Sequence, residues 1–237
     1  MSANGLAGAI ARIEGRFGVH ALARGETSER YRSELVIATK SSLDRVIGGG
    51  LVAGEPIAFI GPPSVGKLQL ALRATASAQA QGGMAAWVDP TASFDPFAAQ
   101  RANVDLERLV VVRARGAGLA LATAAALRSE GFRLVVVDVG DPAFGGANVD
   151  DLAPALSAVR GSPAALLVVA GERGRRVAIP TFVFERVAWE RQFDRTVGWS
   201  FAVGRAHAND RALFCVMSLE GSLVDLGTRA NATKVAV

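Results

Sequence analysis

The sequence predicts an α/β fold, a mostly parallel sheet covered on both faces, extended by antiparallel strands and preceded by an amphipathic helix. Three observations carry this. Short, wholly apolar runs alternate with helical segments, the pattern of parallel strands buried on both faces. The first of these runs, PIAFI (Pro56–Ile60), leads directly into GPPSVGK, a glycine-initiated loop at the start of a helix. The last third then changes to aromatic-rich extended runs without helical periodicity.

Taken in order, Leu6, Ile10, Ile13 and Phe17 recur at helical spacing, with Arg12, Glu14 and Arg16 off the stripe. This predicts a helix from about Ala3 to Phe17, followed by the polar linker ARGETSERYRSE (Ala23–Glu34). A helix tethered in this way is expected to lie on another protein rather than on its own domain. Residues Ser41–Leu51 read as a helical turn stopped by Gly48, Gly49 and Gly50. After the strand Pro56–Ile60, a helix is expected from Lys67 to Gln81, ended by Gly82 and Gly83. Further strands are expected at Met84–Asp89, Leu109–Ala114, Leu134–Val139 and Ala164–Ala170, with helices near Leu119–Glu130 and Leu152–Arg160. TFVFERVAW, GWSFAVGRA and ALFCVMSLE are expected as the antiparallel extension. The chain divides into 1–34 (helix and linker), 35–227 (core) and 228–237 (a loose tail).

Composition narrows the function classes. Of 237 residues, 50% are hydrophobic and 20% charged, which fits a folded domain and not a disordered one. No apolar run approaches the ~20 residues of a membrane span, and charged residues interrupt the N-terminus where a signal peptide would be apolar. The expected location is cytoplasmic. Cys215 is the only cysteine and sits among apolar neighbours; with His20 and His207 as the only histidines, no metal site is expected. Lysine is confined to Lys40, Lys67 and Lys234, so the one in the glycine loop stands out.

That loop, Gly61, Pro62, Pro63, Ser64, Val65, Gly66 and Lys67, has the G-x-x-x-x-G-K spacing in which backbone N–H groups and a lysine cradle phosphates at a helix N-terminus. The next position normally holds Ser or Thr, whose hydroxyl ligates Mg²⁺. Here it is Leu68. The loop is therefore expected to hold phosphate weakly and without a metal ligand.

Several stretches together resemble the bacterial RecA recombinases: LAGAIARIEGRFGVHALARGE, then SSLDRVIGGGLVAGEPIAFIGPPSVGK, then WVDPTASFDP and NVDLERLVVVR, and the strand ending at Asp138. The resemblance covers roughly Leu6 to Ala170 and implies a RecA-like core. It places Thr91 where that family has the catalytic Glu, and threonine is not basic enough to activate water. It places Asp138 at the Walker B position, where it either binds a metal's water shell or caps the strand. Asp95 falls beside the family's adenine position, but an N-cap at the helix starting near Pro96 is the preferred reading. Where that family has two DNA-binding loops, this chain has the short acidic VGDPAFGGANVDD, with Asp141, Asp150 and Asp151, and the turn ERGRRVAIP, with Arg173, Arg175 and Arg176. Three arginines in a turn usually form a solvated surface; contact with nucleic-acid phosphates is the other reading. Arg205 falls near the place of a basic residue that, in the family, reaches a neighbour's nucleotide.

The departures at Leu68 and Thr91 imply a catalytically degenerate paralogue, most similar to the ImuA family of damage-induced mutagenesis accessory proteins. That resemblance implies no catalytic residue, no required cofactor and weak ATP or ADP binding. It also implies partnership with RecA or with a Y-family polymerase-like protein and an error-prone replicative-type polymerase. Leu6, Ile10, Ile13 and Phe17 are the expected partner-binding residues, with DNA bound weakly or indirectly. The alternative is an active RecA- or KaiC-like ATPase, a recombination mediator or nucleotide switch, with Glu172 or Asp141 in place of the missing base.

Overall fold

The computed structural model describes residues 36–140, 146–147, 149–172, 179–205, 210–217 and 222–230, together with Gly8. The stripe Leu6, Ile10, Ile13 and Phe17, the turn Arg173, Arg175 and Arg176, and Asp141 lie outside the described residues. The chain divides into units Met1–Leu35 and Val36–Val237, and the architecture below is that of the second.

A small antiparallel pair, β1 (Val36–Ile37) with β2 (Leu51–Val52), brackets helix α1 (Leu43–Ile47). This pair is absent from the sequence expectation because two-residue strands carry no periodicity. Gly48 adopts the left-handed conformation that ends α1, at φ 88°. The main sheet then builds from β3 (Pro56–Ile60), β4 (Met84–Val88), β5 (Leu109–Val112), β6 (Phe132–Gly140) and β7 (Ala165–Ala170). The antiparallel strands are β8 (Thr181–Gln192), β9 (Arg195–Arg205), β10 (Asp210–Met217) and β11 (Ser222–Ala230). The order is β11-β10-β9-β8-β3-β7-β6-β4-β5, parallel from β8 to β5 and antiparallel from β8 to β11. The expected α/β class, a mostly parallel sheet extended by antiparallel strands, is the observed one; the amphipathic helix expected before it lies outside the described residues.

The apolar strands are explained by burial on both faces. In β3, Ile57 and Phe59 point to one face with α2 (Lys67–Ala80), while Ala58 and Ile60 point to the other with α4 (Ala117–Arg128) and α5 (Ala153–Leu156). The α2 face also holds Trp87, Phe184, Phe201 and Phe214. On the second face Val135, Val137 and Val139 pack with Leu119, Leu127 and Leu152. Helix α3 (Pro96–Arg101) starts where Asp95 accepts hydrogen bonds from the N–H groups of Phe97 and Ala98, so Asp95 is the N-cap it was read to be.

Two expectations are corrected. The helix expected over Leu152–Arg160 is confined to Ala153–Leu156, preceded by a 3₁₀ turn over Val149–Leu152. Pro154 is tolerated in the first turn, and Ser157 turns its hydroxyl onto Pro154 O at 2.9 Å instead of continuing an apolar face. Thr228–Ala230, expected in a loose tail, complete β11, with Thr228 opposite Ala212 and Arg229 opposite Arg211. An edge strand exposes one side, so its polar sequence gave no strand signal.

Candidate functional site

The glycine loop sits at the C-terminal end of β3, where a parallel sheet leaves a crevice. Its geometry is imposed by close packing from the antiparallel strands. A Cβ at Gly61 would lie 2.4 Å from Phe184 O, and one at Gly66 would lie 2.3 Å from the Phe201 ring. Gly66 is also left-handed, at φ 83°, where it caps α2. Both glycines are therefore required sterically, and the aromatic ladder Phe59–Phe184–Phe201–Phe214, with centroid spacings of 5.1, 5.8 and 5.3 Å, backs the loop.

A cleft of about 370 Å³ opens over the loop. Pro63 through Gln69 form one wall; Asp138, Val169 and Trp199 contribute to the others. All of the expected loop residues from Pro63 to Leu68 line it, and so does Asp138. Leu68 is 41% exposed and supplies only hydrocarbon where the motif calls for a hydroxyl. Lys67 Nζ donates to Gly61 O and Pro62 O, each at 2.6 Å, so the ammonium is folded back onto the loop's own carbonyls.

The carboxylates occupy the strand ends opposite. Asp138, at the end of β6 and only 5% exposed, accepts from the Gly140 N–H at 3.2 Å and from Ser93 Oγ at 3.5 Å. Burial pushes its carboxyl up to about 6; the Gly140 bond opposes this, the neighbouring charge of Asp89 adds to it, and Lys67 pulls it back. Asp89, fully buried at the end of β4, accepts from Phe94 N–H at 2.8 Å and from Thr91 Oγ1 at 3.0 Å. Burial raises its carboxyl, but the bonds from Phe94, Ser93 and Thr91 outweigh that and hold it below the ordinary aspartate value. Thr91 is thus tied to Asp89 and, at 2.8 Å, to Ser93, and it does not line the cleft. Arg205 lies away from the cleft, over the Phe182 ring at 5.6 Å.

The backbone of this loop and the start of α2 fit a phosphate group. Among the described residues the metal that usually accompanies it finds a poor fit, because Leu68 offers no ligand and Asp138, with its raised carboxyl, is the only described carboxylate lining the cleft. Trp199 and Ser93 were missed by sequence reasoning. Trp199 stands in β9, more than 130 residues from the loop, and only the antiparallel return of the sheet brings it to the cleft; its buried Nε1 finds no acceptor among the described residues. Ser93 follows Thr91 by two residues, and a hydroxyl so near a strand-terminal aspartate was the one available signal.

A model of the RecA N-terminal domain matches residues 4–150, which include the loop, Thr91 and Asp138. Protein RecA of Synechocystis is 37% identical over 131 residues, 55% of this chain and 37% of that protein. Protein RecA of Synechococcus elongatus is 37% identical over 130 residues, covering 54% and 36%, and that of Arthrospira platensis 39% over 128, covering 54% and 35%. The chain therefore spans little more than a third of the length of the curated relatives it matches. Among the described residues no helix is long and apolar enough to cross a membrane. With a match across more than half its length, the chain belongs to the RecA N-terminal domain family.

Proposed function

We propose that this RecA-like chain no longer hydrolyses ATP and works as an accessory protein, through protein–protein contacts, in the DNA-damage response and translesion mutagenesis. The observation that carries the reading is Leu68 in the cleft wall, directly after a lysine that is bonded to Gly61 O and Pro62 O. A phosphate site without its metal ligand loses the charge stabilisation a transferring phosphoryl group needs. Thr91, bonded to Asp89, has no carboxylate to activate water, and loss of a general base alone typically lowers rates by 10²–10⁴-fold. Both losses sit in a core whose packing is intact, which supports a retained fold with another use. Residual ATP or ADP binding, without a metal, is compatible with the loop backbone, and no cofactor is required for the accessory role.

The partners in this reading are RecA, or a Y-family polymerase-like protein with an error-prone replicative-type polymerase. The contact surface is the stripe Leu6, Ile10, Ile13 and Phe17, and any DNA contact, at Arg173, Arg175 and Arg176, is weak. The deciding measurement is steady-state phosphate release from ATP, with and without single-stranded DNA, against a Lys67→Ala control. Indistinguishable rates are expected. Release well above the control would establish an active ATPase and overturn the reading. In parallel, Ile10→Asp combined with Phe17→Asp should abolish capture of purified RecA or the polymerase pair; unchanged capture of both would remove the assigned contact surface.

A further inference from the structure

On the α2 side of the sheet, away from the phosphate loop, a cavity of about 420 Å³ joins a second of about 240 Å³ through the shared residues Arg73, Arg101 and Ala102. The floor is small: Ala76, Ser77 and Ala80 form one stripe of α2, with Ala102 opposite. The walls are cationic. Lys40 comes from the loop between β1 and α1, Arg73 from α2, and Arg101 from the end of α3, and among the described residues no acidic side chain lines either cavity.

Each cation stands on a different element. Arg73 donates to Leu223 O at 2.6 Å. Lys40 follows Thr39, whose N–H and Oγ1 both donate to Asp44 Oδ1 at 2.7 Å. Arg101 sits in the last turn of α3, where its charge complements the helix dipole. Asp225 interacts electrostatically with Arg73, but its carboxylate oxygens also accept from the N–H groups of Ser42 and Gly227. Three like charges around one cavity repel one another, and an anion placed between them removes that repulsion. Two guanidinium forks and an ammonium suit a tetrahedral, multiply charged oxyanion better than a single carboxylate.

We propose that this groove is an anion site that takes a phosphate group, carried either by a small phosphoanion or by the backbone of single-stranded nucleic acid. Gln69 borders both the smaller cavity and the cleft over the phosphate loop, but none of the three cations lines that cleft, so the site does not depend on Lys67.

The test uses the full chain carrying Lys67→Ala, which removes the loop lysine, and inorganic pyrophosphate as the probe in titration calorimetry. Binding should persist in this background and weaken at least tenfold when Lys40→Ala and Arg101→Ala are added. Both side chains are exposed, so circular dichroism should show an unchanged fold. Arg101→Glu alone should weaken binding further than Arg101→Ala. Competition by a twelve-residue thymidine strand would identify the nucleic-acid backbone as the source; pyrophosphate binding without competition would assign the site to small phosphoanions. No binding in the Lys67→Ala chain, or equal affinity with and without Lys40 and Arg101, overturns the proposal, as would an oligoglutamate peptide that binds there while pyrophosphate does not.

Discussion

Asp138 is a carboxyl group held in a place that disfavours its charge. It is buried at the end of β6 with Asp89 as its neighbour, and its folded-state value near 6 lies above the 3.8 of an ordinary aspartate. The sign follows from linkage. Between those two values the folded protein binds the proton more strongly than the unfolded chain, so stability falls as pH rises through that window. Above it, the buried charge costs on the order of 3 kcal/mol. Asp138→Asn keeps the Gly140 hydrogen bond acceptor without the charge. Its melting temperature at pH 7 should exceed the parent's by several degrees, at about 2–4 °C per kcal/mol for a chain of this size. Near pH 4 the two should coincide. A thermal scan at both values checks this, and an Asn variant less stable at pH 7 would show that Lys67 more than compensates the buried charge. Under the proposed loss of hydrolysis, what Asp138 keeps is its bond from Ser93, which ties the end of β6 to the Thr91–Ser93 turn after β4.

The hairpin β8–β9 shows the same conflict between local cost and retained sequence at the level of an element. Its strands are joined by Phe193 and Asp194, with Gln192 opposite Arg195. Phe193 has φ 54° and is 94% exposed, so an aromatic residue occupies a left-handed turn position and buries almost nothing. Two-residue hairpins with positive φ at the first position favour glycine there. Phe193→Gly should therefore raise stability by about 1 kcal/mol, less the entropy glycine adds to the unfolded chain. A urea titration would detect it, and a lower midpoint would mean that the ring makes a stabilising contact. Elements of this kind mark where sequence reading reached its limit. The parallel strands and α2 were legible because burial on both faces leaves an unbroken apolar run, and the loop was legible because Gly61, Gly66 and Lys67 are fixed by spacing. By contrast, β11 was not, since an edge strand needs only backbone partners and keeps residues such as Asp225 and Thr228. Trp199 entered the cleft through long-range pairing with Trp189 on β8 and Val216 on β10, which no local pattern encodes.

Across the whole core, the parallel and antiparallel halves share one structural seam. Strand β8 pairs in parallel with β3 through Ala58–Thr181, Phe59–Phe182 and Ile60–Val183, and antiparallel with β9 along its length. The ladder Phe59–Phe184–Phe201–Phe214 crosses that seam and lies directly behind Gly61 and Gly66. The antiparallel strands thus act as the back wall of the phosphate loop, and the two halves should unfold together. The three tryptophans allow a direct test, since Trp87 reports on β4 in the parallel half while Trp189 and Trp199 report on β8 and β9. Variants that keep only Trp87 or only Trp199, with phenylalanine elsewhere, should give coincident denaturant midpoints. Phe201→Ala removes the ring that both halves touch, and should cost about 3–5 kcal/mol. It should shift both reporters equally and loosen the loop, so that any residual ATP binding falls with stability. If Trp199 melts first while Trp87 stays folded, the antiparallel strands are a separable appendage, and the loop's shape must be set by β3 and α2 alone.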